Sequence, residues 1–99
     1  MDKSVGVMRQ DQAETIGLQA LAWLAAEDEL FGTFLGASGA GAADVAEAAG
    51  KPEFLGAVLD FVMMEDAWVM AFCDANGLAY TQPMAARAVL PGGQAFHWT

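Results

Sequence analysis

The sequence predicts an all-α fold, a compact bundle of five or six short helices. Three observations carry that prediction. Apolar residues recur at steps of three and four along most of the 99 residues. No stretch sustains the period-two alternation of a half-buried strand. Glycines and acid pairs cut the apolar runs into helix-sized lengths, as at GASGAG (36–41), Glu27-Asp28 and Glu65-Asp66.

Residues 1–10 are expected to be a flexible arm. Asp11 is the expected N-cap of a first helix, with Glu14 at the capping-box position. That helix runs to about Ala26 and carries Ile16, Leu18, Leu21, Trp23 and Leu24. Asp28 can cap a second helix with Leu30, Phe31, Phe34 and Leu35, which fails at Gly36, Gly39 and Gly41. Ala42–Ala49 is expected to form one or two helical turns closed by Gly50. The centre of the fold is Lys51–Met64, KPEFLGAVLDFVMM. Pro52 suits a first turn because its missing N–H has no partner there. Beyond it only Glu53 and Asp60 are charged, and a helix apolar on most sides is covered on most sides. A fifth helix, Asp66 to Asn76, ends at Gly77, where a left-handed exit is expected. A last helix, Gln82 to Leu90, follows Thr81 and stops at Pro91-Gly92-Gly93. Residues 11–93 thus form one helical domain, and 94–99 a flexible tail.

The chain is 56% hydrophobic, above the roughly 45–50% of ordinary globular chains. A small domain has much surface for its volume, so some apolar material is expected outside, where it marks a partner surface. A twofold homodimer is the simplest outcome. The net charge of −9 sets 13 acids against Lys3, Arg9, Lys51 and Arg87. Four scattered cations cannot neutralise phosphates, so neither nucleic acid nor an anionic membrane is an expected partner. No apolar run reaches the roughly 18 residues of a membrane span, and the N-terminus has no apolar h-region. One cysteine, Cys73, allows no internal disulfide, which suits the cytoplasm.

Sliding residues 14–49 onto 52–87, an offset of 38, matches Leu21 to Leu59, Glu27 to Glu65, Asp28 to Asp66, Phe34 to Phe72, Ala37 to Ala75, Gly39 to Gly77 and Ala48 to Ala86. Each unit reads long helix, acidic break, second helix, glycine, short helix. Two similar halves could close one core about a pseudo-twofold axis. The alternative is coincidence in an alanine-rich chain.

The phrases AETIGLQALAWLA (13–25), PEFLGAVLDF (52–61), AFCDANGL (71–78) and AARAVLPGG (85–93) carry a further signal. Together they resemble a small all-helical family of unknown function found mainly in alphaproteobacteria, over about residues 11–93. The resemblance implies a helical cytoplasmic domain and supplies no catalytic or ligand-binding residues. The glycine-rich GASGAGAAD stretch departs from what the family leads one to expect.

Little here points to chemistry. His97 is the only histidine and lies in the tail. Cys73, between Phe72 and Asp74, reads as a buried inert thiol, since reactive thiols need a positive neighbour or a helix N-terminus. Zinc wants several His or Cys ligands, and there are two such residues. The acids at 27–29 and 65–66 could meet around a divalent ion, but helix termini account for the same residues. Gly36-x-x-Gly39-x-Gly41 lacks the lysine, the hydroxyl and the preceding strand of a phosphate loop. No cofactor is expected, and no catalytic set can be assembled, so an enzyme is not the reading. The aromatic and methionine residues say more. Their default is core packing, yet Met63, Met64, Trp68, Val69 and Met70 put apolar groups on adjacent faces, so at least one points away from the core. They are the expected partner-binding residues, facing a second copy or another protein. A small carrier with an apolar ligand in its helical core is the alternative. Phe96 and Trp98 of the tail could also dock in such a groove.

Overall fold

A computed structural model describes residues 8–91 as a bundle of helices, with no strand among the described residues. The elements are α1 (Gln10–Ala25), α2 (Asp28–Ser38), a 3-10 turn (Ala42–Asp44), α3 (Val45–Ala48), α4 (Pro52–Val62), α5 (Asp66–Asn76) and α6 (Gln82–Val89). The expected all-α class holds. The tail, with Phe96, His97 and Trp98, lies outside the described residues, as do residues 1–7 of the arm.

The helix α4 sits at the centre because its sequence offers almost nothing to water. Leu55, Gly56, Ala57, Val58, Leu59, Phe61 and Val62 are buried, and of the helix only Glu53 is exposed. α1 lies across it and contributes Ala13, Ile16, Gly17, Ala20, Leu21 and Leu24 from one face. These positions follow the three-and-four step of a single apolar stripe. α6 packs on both α1 and α4, α2 leans on α1 and more lightly on α4, and α5 leans on α1. Each large apolar side chain so covered contributes on the order of 1.5–3 kcal/mol relative to exposure.

The close approach of α1 and α4 depends on a missing side chain. A Cβ built on Gly17 would stand 2.8 Å from the Cβ of Leu55 and 3.6 Å from its Cα. Only glycine leaves room for α4 at that point in α1. The ring of Phe34 packs edge-on against two neighbours, a favoured arrangement of aromatic quadrupoles, and Trp23 meets Phe72 at a tilt. Phe34 meets Phe54 at 5.6 Å and Phe61 at 5.4 Å, and Trp23 meets Phe72 at 6.1 Å.

Helix ends depart from expectation in detail. α1 starts at Gln10 with Arg9 as its N-cap, not Asp11. The Arg9 N–H donates to Gln12 Oε1 at 3.1 Å, so the capping glutamine lies at residue 12 and Glu14 takes no part in it. Asp11 instead accepts from Arg9 Nη2 at 2.7 Å and from the Gln12 N–H at 2.9 Å. That hydrogen bond from Arg9 holds the Asp11 carboxyl below the usual carboxylate range. At α2 the N-cap is Glu27, and Asp28 is the first helical residue; at α5 Glu65 stands in the same place before Asp66. No side chain caps either helix, so these acids act through the field of the exposed N–H groups. Gly39 and Gly77 close α2 and α5 at φ of 78° and 66°. Both occupy the left-handed region that glycine enters without a Cβ penalty. Ala42–Ala49 forms a 3-10 turn and a single α turn, and α6 ends at Val89.

The boundaries of α2 and α5 lie at the same offset as the sequence matches. α2 and α5 are equal in length at eleven residues; the matched acids Asp28 and Asp66 start them, and the matched glycines Gly39 and Gly77 end them. The Trp23–Phe72 contact, shifted by that offset, becomes Phe61–Phe34, which is also a contact. Leu55, the residue a Cβ on Gly17 would meet, lies at that offset from it as well. The short segments break the pattern. α6 is docked on α1 and α4, whereas α3 mainly adjoins the 3-10 turn.

Gly32 lies inside α2 with open space where a Cβ would go. Glycine in a helix interior costs roughly 0.5–1 kcal/mol relative to alanine. Gly32→Ala should therefore raise stability by about that amount, read as a higher urea midpoint with an unchanged slope.

Candidate functional site

Two faces of α5 separate its structural work from its free surface. Phe72 and Cys73 are fully buried and Trp68 and Val69 half-buried along the inner side. Asp66, Ala67, Met70, Ala71, Asp74 and Ala75 are exposed along the outer side. The alternation follows from 3.6 residues per turn: two adjacent columns enter the core and the others face water.

The five residues expected to bind a partner are divided by this geometry. Met64 is 64% exposed and Met70 47% exposed. Met63, Trp68 and Val69 are half-buried and pack against the core. Trp68 stacks on Phe61 with centroids 5.2 Å apart and planes 22° apart, so its ring belongs to the core edge. Tyr80 and Met84, 49% and 63% exposed, were not among the expected residues. The period of α6 does announce Met84: Pro83, Ala86 and Leu90 are buried, which turns Met84 and Ala88 outward. Tyr80 O–H donates to Asp74 Oδ1 at 2.8 Å, bringing an aromatic ring to the outer side of α5. That hydrogen bond, with partial burial and the Asp74 charge, pushes the phenol pKa up.

The titratable groups of the interior serve packing. Cys73 is fully buried, and its thiol donates weakly to the Ala79 carbonyl at 3.5 Å. Burial, and secondarily the charge of Asp74, raises its pKa, so the nucleophilic thiolate is disfavoured. Asp60 and Arg87 form an ion pair of 2.7 Å between α4 and α6, with side chains only 25% and 13% exposed. Arg87 Nη1 also donates to the Leu90 carbonyl at 2.9 Å, just beyond the end of α6. Gly56 makes the space: a Cβ there would meet Arg87 Nη1 and the Pro91 carbonyl oxygen at 3.0 Å. Sequence inspection gives no sign of this pair, because its members lie 27 residues apart.

Among the described residues no three His, Cys, Asp or Glu side chains come together as a metal site. The Gly36–Gly41 stretch leaves the C-terminal end of α2 and leads into a three-residue 3-10 turn, whereas a phosphate loop joins a strand to an α-helix N-terminus. No described helix is long and apolar enough to cross a membrane.

A family model described as a protein of unknown function, DUF3572, matches residues 10–93. The chain belongs to that family. The match covers all six helices of this DUF3572 chain. No curated protein and no solved structure matches it.

Arg87→Met should destabilise the DUF3572 fold by about 1–3 kcal/mol, because Asp60 is left partly buried without its cation. Adding Asp60→Leu should recover part of the loss. Urea denaturation of the two variants checks the pair, and a neutral single variant would show that α6 is held by apolar contacts alone.

Proposed function

We propose that this chain is a non-catalytic protein–protein interaction module of the cytosol. The observation that carries the reading is the exposure of Met64 and Met70 at the edge of the core. Methionine is flexible and polarisable, and it adapts to a partner's apolar surface at low cost. Its exposure beside the half-buried Met63, Trp68 and Val69 extends the apolar surface of the core outward at one corner. A second copy or another protein would cover that corner, and acids at its edge would set orientation. Catalysis is not part of the reading: the lone thiol is buried with a raised pKa, and Asp60 is committed to Arg87. A lone unpaired thiol and a strongly acidic surface suit a reducing compartment.

The reading extends to the chain's internal order. We take residues 14–49 and 52–87 as two copies of one helical unit related by a pseudo-twofold axis near the Gly17–Leu55 contact. The equal lengths of α2 and α5, their left-handed glycine ends and the paired aromatic contacts support it.

Met64→Glu and Met70→Glu, made together, should abolish association while circular dichroism and thermal unfolding stay near wild type. Association would be read by analytical ultracentrifugation for the homodimer and by pull-down from native cytosol for another protein. Unchanged association in both assays would remove this corner as the interface.

A further inference from the structure

We propose that the outer strip of α5 receives a cationic amphipathic helix of another protein. This inference rests on the interaction reading above and names the partner's chemistry. Asp66, Met70 and Asp74 lie one helical turn apart in succession, and all three are exposed. The strip thus presents an apolar side chain between two carboxylates. Tyr80 anchors the Asp74 carboxylate at the far end through its 2.8 Å hydrogen bond.

Symmetry argues against a second copy on this strip. A twofold contact with the helices antiparallel and centred on Met70 sets Asp66 of each copy opposite Asp74 of the other. With the helices parallel, each acid faces its own counterpart. Both arrangements put carboxylate against carboxylate, and the −9 net charge of each copy adds to the repulsion. The complementary occupant carries an apolar residue over Met70 and a lysine or arginine four residues to either side.

The first half of the chain supplies an internal contrast. The equivalent positions on α2 are Asp28, Gly32 and Gly36. A Cβ at either glycine would meet nothing within 4 Å, so packing does not demand glycine there. The core residues Phe34 and Phe72 correspond, and the outer strips do not. On its outward side α5 therefore differs from α2 by an apolar group and a second acid.

The test uses the full chain, labelled with nitrogen-15, and a synthetic helical peptide with a central leucine and an arginine four residues to either side. At about 0.15 M salt, exposed charges farther apart than the screening length of roughly 8 Å contribute little. Saturable binding is expected, with amide shifts confined to α5 and the segment around Tyr80. Asp66→Asn with Asp74→Asn should weaken it by about three- to tenfold. Asp28→Asn with Glu29→Gln, which removes the same charge elsewhere, should leave affinity within about twofold. Equal weakening by both pairs, shifts spread over every acidic segment, or no saturable binding would overturn the inference. If ultracentrifugation also shows a dimer that Met70→Glu dissociates, the interaction reading stands and the cationic helix falls.

Discussion

Gly17 fixes how near α1 and α4 approach, and the rest of the fold is arranged around that distance. With a Cβ at 2.8 Å from Leu55 the two helices would have to separate or slide. Their contact buries Ile16, Ala20, Leu21 and Leu24 on one side and Leu55, Val58, Leu59 and Val62 on the other. α6 then closes one flank through Ala86, Leu90 and the Asp60–Arg87 pair. The two middle helices enter through Phe34 and Phe72, each aimed at an aromatic residue of α1 or α4. A wider crossing would loosen every one of these contacts, since close-packed interiors forfeit dispersion attraction over sub-ångström gaps.

How much of this was legible in the sequence depends on the range of the interaction. α4 could be read from Leu55–Leu59 and Phe61-Val62 because a helix apolar on most sides has nowhere to go but the centre. α5 could be bounded at Asp66 and Asn76 because acids and Asn-Gly mark helix ends through local chemistry. The cap of α1 was misplaced, since Gln12 competes with Glu14 for the capping role and the two are indistinguishable by composition. The Asp60–Arg87 pair was invisible, because it depends on how α6 docks and on the space Gly56 leaves. At the candidate surface, helical spacing placed Met64, Trp68 and Met70 on adjacent faces but could not say which face met Phe61. The stacking of Trp68 on that ring answers the question and leaves Met70 outside.

The two sides of α5 differ sharply in burial and chemistry. The inner side has the residues needed for packing, with Phe72 and Cys73 matching their surroundings in size and polarity. The outer side presents an apolar thioether, Met70, between two exposed carboxylates, with a tyrosine hydrogen-bonded to one of them. Such residues tend to be constrained by what they meet in solution, and their chemistry is a better guide to partners than the fold, which many functions can share. Membership of a family of unknown function leaves the exposed strip as the most informative part of the molecule.

The most direct test of the account is the equilibrium stability of Gly17→Ala by urea denaturation. Alanine is favoured over glycine in a helix by roughly 1 kcal/mol, so local propensity alone would make the variant more stable. If the α1–α4 distance is the governing constraint, the variant instead loses about 1–3 kcal/mol to overpacking against Leu55. A variant as stable as the wild type, or more so, would contradict the account.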